Sequence, residues 1–95
     1  MNYNIDYLLQ YVSHPELKEI KRRYNDYTLK FLEDDRVQVL NNIRFLIKYG
    51  IKNINELIVK DLEELLLNEN EFQHKIENYE KTMTKSQVIN MLENI

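Results

Sequence analysis

The sequence predicts an all-α protein, a compact single-domain bundle of about five to six short helices spanning residues 1–95. Three observations carry that expectation. Apolar residues recur at steps of three and four almost from end to end, the period of one helix face, and no segment alternates as a half-buried strand would. Helix breakers are nearly absent, with one glycine (Gly50) and one proline (Pro15) in the whole chain. Helix-capping signatures fall between the apolar stripes, at Ser13 and at Thr84. At 95 residues the chain can bury one core and has little room for a second layer around a deep active site.

The first helix is predicted to start near Asn2 or Asn4, with Ile5, Leu8, Leu9 and Val12 as its apolar stripe. It must end before Pro15, whose ring disfavours the α region for the residue before it. Ser13-His14-Pro15-Glu16 then reads as a capping box with the proline early in the first turn. Leu17, Ile20, Tyr24, Tyr27 and Phe31 continue from there as a heptad-like seam. The seam fails at Asp34, and a new stripe of Val39 or Leu40, Ile43, Leu46 and Ile47 begins out of phase. Two helices meeting at Glu33-Asp34-Asp35 are therefore predicted, with Asp34 or Asp35 as cap. A single bent helix from Pro15 to Tyr49 is the alternative.

Gly50 reads as the stop of that helix, because glycine alone takes a positive φ without steric penalty. Asn53 is placed to cap the next helix, whose face carries Ile54, Leu57, Ile58, Leu62, Leu65 and Leu66, widened by Val59 and Leu67. Asn68-Glu69-Asn70 interrupts it. Phe72, Ile76, Tyr79 and Met83 form the following stripe. Thr84 and Gln87 make a second capping box, opening a last helix that buries Val88, Ile89, Leu92 and Ile95.

Composition narrows the classes of function. The chain has no Ala, Cys or Trp and is rich in Asn, Ile, Lys and Tyr, which implies a strongly AT-rich genome such as that of a low-GC bacterium, its phage or a mobile element. Without cysteine there is no disulfide framework, no thiolate zinc site and no thiol nucleophile. No signal-like segment opens the chain, and no apolar run approaches the ~20 residues that span a bilayer, so a cytoplasmic location without membrane contact is expected. Charge is unevenly spread. Residues 1–52 carry nine Lys/Arg against seven Asp/Glu, and residues 53–95 carry four against nine. Such a dipolar surface can steer an oriented encounter, although charge on helices is usually just a solvated face.

No constellation of catalytic type stands out. Glu71 and His74 have the E-x-x-H spacing of ferritin-like di-metal sites, but such sites need that pair twice together with further Glu residues, so no metal or cofactor is expected. Ser13 and Ser86 are best used at helix starts rather than as nucleophiles. The carboxylate pairs Asp34-Asp35 and Glu63-Glu64 read as solvated, whereas acid–base chemistry needs one member desolvated. A single glycine leaves no phosphate-cradling loop. The expectation is a protein that is not an enzyme. Lys18, Lys21, Arg22 and Arg23, interleaved with Tyr24 and Tyr27, form the one basic segment that could contact nucleic acid. Glu19 to Arg23 and Asp26 to Lys30 are spaced for ion pairs within a helix, which lowers that reading's weight.

Phe45 to Ile51, with Glu56-Leu57-Ile58 and Leu65-Leu66, resembles one unit of the helical repeats of mitochondrial transcription termination factors, a family that binds nucleic acid. The proline expected before that unit's second helix is missing and no second copy follows, so no family membership is drawn from it.

The seven tyrosines are the remaining signal, since Tyr is enriched at protein interfaces. Tyr3, Tyr7 and Tyr11 recur every four residues beside the first apolar stripe, either as the roof of a small core or as a contact surface. The functional expectation is a small helical adaptor, inhibitor or regulator that binds another protein. Tyr7 and Tyr11 are its expected partner contacts, Lys21 and Arg22 secondary ones. A nucleic-acid-associated protein using Lys18–Arg23 and a structural or packaging subunit of a homo-oligomer are the alternatives.

Overall fold

In the computed structural model, residues 3–94 are described, apart from the side chains of Glu63 and Glu64. Asn2 and Ile95, expected at the ends of the first and last helices, lie outside the described residues, as do the Glu63 and Glu64 carboxylates. Six α-helices follow one another: α1 (His14–Arg23), α2 (Asp26–Asp34), α3 (Arg36–Tyr49), α4 (Ile54–Lys60), α5 (Glu69–Glu80) and α6 (Lys85–Glu93). Two short 3₁₀ helices, Asp6–Gln10 and Leu62–Leu66, complete the set, and no strand occurs among the described residues. The all-α expectation therefore holds.

The predicted first helix is the first of these 3₁₀ turns. The segment before the Ser13 cap leaves room for few helical bonds, and its five-residue turn closes with tighter ones such as Leu8 N–H to Ile5 C=O at 3.1 Å. Its apolar residues still serve the core: Ile5, Leu8 and Val12 are buried, and Leu9 is half-buried. The Ser13–Glu16 capping box forms as the sequence predicts, with Ser13 Oγ accepting from the Glu16 amide and Glu16 Oε1 accepting from the Ser13 amide at 2.9 Å.

The Leu17-to-Phe31 seam does not exist as one helix. The chain breaks at Tyr24, and Asn25 caps α2 by accepting from the Thr28 amide at 2.9 Å. The break re-phases the core, so α2 buries Thr28, Leu29 and Leu32. Tyr27, placed in the seam by the sequence, is 82% exposed. Residues 15–49 thus form three helices rather than two or one. Asp35 alone separates α2 from α3, and its side chain makes no capping bond.

Gly50 ends α3 at φ 127°, and the Gly50 and Ile51 amides both return to the Leu46 carbonyl. The predicted helix from Asn53 to Leu67 is divided at Asp61 into α4 and the second 3₁₀ helix. Asn53 holds the N-cap position without a side-chain bond. Asn68 is the cap of α5, and Thr84 with Gln87 forms the second capping box in front of α6.

α3 lies at the centre of the packing, touching α2, α4, α5 and the second 3₁₀ helix, while α1 packs on α4 and α6 on both α4 and α5. Val39, Ile43 and Leu46 of α3 meet Ile58, Leu62, Leu65, Phe72 and Val88 in one buried cluster. Burying apolar surface of this kind contributes about 25 cal/mol per Å² and is the main force holding the helices together.

The least regular stretch, residues 60–68, is held by side chains from distant elements. Tyr24 places its hydroxyl in the break, donating to Val59 C=O at 2.9 Å and accepting from Leu62 N–H at 3.2 Å. From α3, Gln38 donates to Leu66 C=O at 3.1 Å, and Asn42 donates to Leu65 C=O at 3.0 Å and Leu67 C=O at 2.8 Å. Backbone groups left without a helical partner are in this way satisfied from outside, as burial requires. Asn42 is 1% exposed, and its Oδ1 has no partner.

Candidate docking surface

The four residues expected at a partner surface do not form a free patch. Tyr7 is half-buried against the core and donates its hydroxyl to Leu32 C=O at 2.7 Å, near the end of α2. Burial pushes its phenol well above the usual tyrosine range, and the Arg36 guanidinium lies 5.7 Å from its ring centroid. Tyr11 also packs half-buried on the core, and Tyr3 is buried. These tyrosines roof the small core, which is the first of the two roles their spacing allows. Lys21 approaches Asp6 at 4.0 Å, and Arg22 is locked to Glu19 by two hydrogen bonds of 3.0 and 2.6 Å. That pairing holds the Glu19 carboxyl below its ordinary range.

Intrahelical pairing differs from the predicted spacings. Glu19 takes Arg22 rather than Arg23, and Lys30 lies 3.4 Å from Asp34 and 3.9 Å from Glu33 rather than beside Asp26. With the break at Tyr24, Asp26 sits in the first turn of α2, where its charge complements the helix dipole instead.

Chemistry-bearing groups stay scattered. His74 faces Glu77 at 3.7 Å, and the Glu71 carboxylate accepts from Asn68. Among the described residues no three His, Asp or Glu side chains gather as a metal ion would require. A surface depression of about 580 Å³ runs from Gly50 and Lys52 to α6; its two charged residues, Lys52 and Glu93, are linked through the Lys52 amide at 3.4 Å.

The surface that stands apart lies on α2 and α3. Among the described residues the large hydrophobic side chains left exposed are Tyr27 at 82%, Val37 at 69% and Ile47 at 42%. All three belong to this helix pair. On α3, Val37, Leu40, Arg44 and Ile47 step by three, four and three, which places them on one face, with Lys48 beside it. Ile47, assigned to the core by the sequence pattern, points outward because α3 turns Val39, Asn42, Ile43 and Leu46 inward.

The electrostatics of the pair are equally lopsided. From Arg36 to Asn55 there are four Lys/Arg and no Asp or Glu, whereas residues 25–35 carry Asp26, Glu33, Asp34 and Asp35 against Lys30. Near the C-terminal end of α3, Lys48 and Lys85 flank Phe45 and Tyr49 around a cleft of about 210 Å³. Lys85 rests 5.0 Å from the Tyr49 ring centroid, and Tyr49 donates to Glu80 at 3.1 Å. Burial, followed by the Glu80 carboxylate, raises the Tyr49 pKa.

Sequence reasoning missed this surface because it placed Tyr27 and Ile47 in the core. The signal that could have found it is the acid-free run that opens at Arg36. No protein family matches this chain, and no curated protein or solved structure is significantly similar to it.

Proposed function

We propose that this chain is a small non-enzymatic helical protein that acts by binding another protein, as an adaptor, inhibitor or regulator, and that the exposed faces of α2 and α3 make the contact. The observation that supports this reading is the concentration of Tyr27, Val37 and Ile47 on one helix pair, while the other large apolar side chains among the described residues are buried or half-buried. Apolar side chains exposed together beside charged ones are the usual anatomy of a contact surface, with an apolar centre and a charged rim. Arg44 and Lys48 supply such a rim. The AT-rich composition fits a low-GC bacterium or its phage as the source.

Nucleic-acid binding through Lys18–Arg23 has weaker support, since Arg22 is held by Glu19 and Lys21 lies near Asp6. The test is a paired affinity capture with the wild-type chain and a Val37→Glu/Ile47→Glu variant. A protein retained by the wild type and lost from the variant supports the reading; equal retention by both refutes it.

A further inference from the structure

The α2–α3 surface carries both halves of a complementary pair. The α2 half is acidic and exposes an aromatic ring: Asp26, Tyr27 and Asp34 all face solvent. The α3 half is basic through Arg44 and Lys48 and exposes the aliphatic side chains of Val37 and Ile47. Residues 25–35 hold four acids against one lysine, Lys30, which lies 3.4 Å from Asp34, and α3 holds three cations and no acid, so the two halves carry net charges of opposite sign. They are consecutive helices in contact, separated by Asp35 alone.

We propose that the occupant of this surface is a second copy of the same chain, docked about a two-fold axis so that α2 of each copy lies on α3 of the other. The proposal rests on the reading of α2–α3 as a protein-contact surface and names its partner. A two-fold interface requires a self-complementary patch, in which residue i meets j and j meets i. An acidic aromatic ridge beside a basic aliphatic one meets that requirement, because the axis brings each ridge onto its opposite. Tyr27 then covers the aliphatic stripe of Val37 and Ile47, while Asp34 and Asp26 face Arg44 and Lys48. An interface of standard size takes about 800 Å² from each partner. That is roughly an eighth of the 6039 Å² surface, within reach of one face of a helix pair.

The experiment is sedimentation of the full chain over a wide concentration range, together with two charge-reversed variants. One is Arg44→Glu/Lys48→Glu, which makes both ridges acidic; the other is Asp34→Lys, which weakens the acidic ridge. Asp34 is exposed at the end of α2, where a cation suits the helix dipole, and circular dichroism confirms folding of each variant. The wild type is expected to dimerise in a salt-sensitive manner. Each variant alone should associate at least tenfold more weakly, and an equimolar mixture of the two should regain association, since the altered ridges then face one another.

A wild-type chain that stays monomeric up to millimolar concentration overturns the proposal, as does a mixture no better associated than its components. If the chain is monomeric but the paired capture still loses its protein on Val37→Glu/Ile47→Glu, the second copy is excluded and the docking surface stands. If the capture is unaffected as well, both fail.

Discussion

Replacing Asn42 with alanine tests how this fold satisfies its irregular backbone. The side chain sits 1% exposed at the middle of α3, and its Nδ2 reaches two carbonyls, Leu65 O at 3.0 Å and Leu67 O at 2.8 Å. A typical hydrogen bond contributes about 0.5–1.5 kcal/mol net, and a buried acceptor left unsatisfied costs about 1–3 kcal/mol. Asn42→Ala removes two donors at once. It also removes the unpaired Oδ1, which offsets part of the loss. The expected destabilisation is about 3 kcal/mol. For a domain of this size that lowers the melting temperature by roughly 12–24 °C.

Urea titration followed by circular dichroism measures the change directly. Asn42→Asp supplies a control with a defined pH sign. A carboxylate facing two carbonyls is strained in the folded state, so its folded pKa rises above the unfolded value. The stability of that variant should then be highest at low pH and fall as pH rises through the folded pKa. A loss below about 1 kcal/mol for Asn42→Ala, or an Asn42→Asp variant indifferent to pH, would refute the reasoning that the clamp holds residues 65–67 in place.

Three further perturbations address other contacts. Tyr24→Phe removes both bonds that bridge the Asp61 break and should cost about 1–2 kcal/mol, with amide exchange at Leu62 accelerating more than at Ile43; equal acceleration at both would contradict a local role. Tyr7→Ala should destabilise by about 2 kcal/mol and Tyr7→Phe by about 1 kcal/mol, because ring packing and the bond to Leu32 are separable; a Tyr7→Ala variant as stable as wild type in urea would return Tyr7 to the surface. The Glu16 carboxyl is held below its ordinary value of 4.5, first by the Ser13 amide and then by Asn55. Its contribution to stability is present above that value and lost as pH falls through the depressed folded pKa, so Glu16→Gln should flatten the acid limb of the urea midpoint measured from about pH 6 to about pH 3.

Local signals in the sequence match the structure where the structure is itself local. Both capping boxes, the Gly50 stop and the Pro15 helix start depend on residues within a turn of one another, and all four form as predicted. The breaks at Tyr24 and Asp61 leave no such local signal. Leu17, Ile20, Tyr24, Tyr27 and Phe31 keep helical spacing straight across the first break, so periodicity cannot see it. The second break is stabilised by the Tyr24 hydroxyl, 38 residues from Leu62, and the carbonyls after it are satisfied from α3. Nothing near Asp61 in the chain records those partners. The phase of α2 also bears on which tyrosines are free. A seam continued through Tyr24 puts Tyr27 inside and leaves the N-terminal tyrosines as the spare surface, whereas re-phasing of α2 exposes Tyr27 and leaves Tyr7 hydrogen-bonded to Leu32.

Residue-level protection in the bound state is the most direct test of where this protein makes contact. Hydroxyl-radical footprinting compares the dilute chain with the chain in whatever complex it forms, with itself or with a captured protein. Protection is expected at Tyr27, Val37, Leu40 and Ile47, with Tyr7 and Tyr11 unchanged between the two states. Protection at Tyr7 and Tyr11, with Tyr27 and Ile47 still reactive, would contradict it and place the contact on the N-terminal segment.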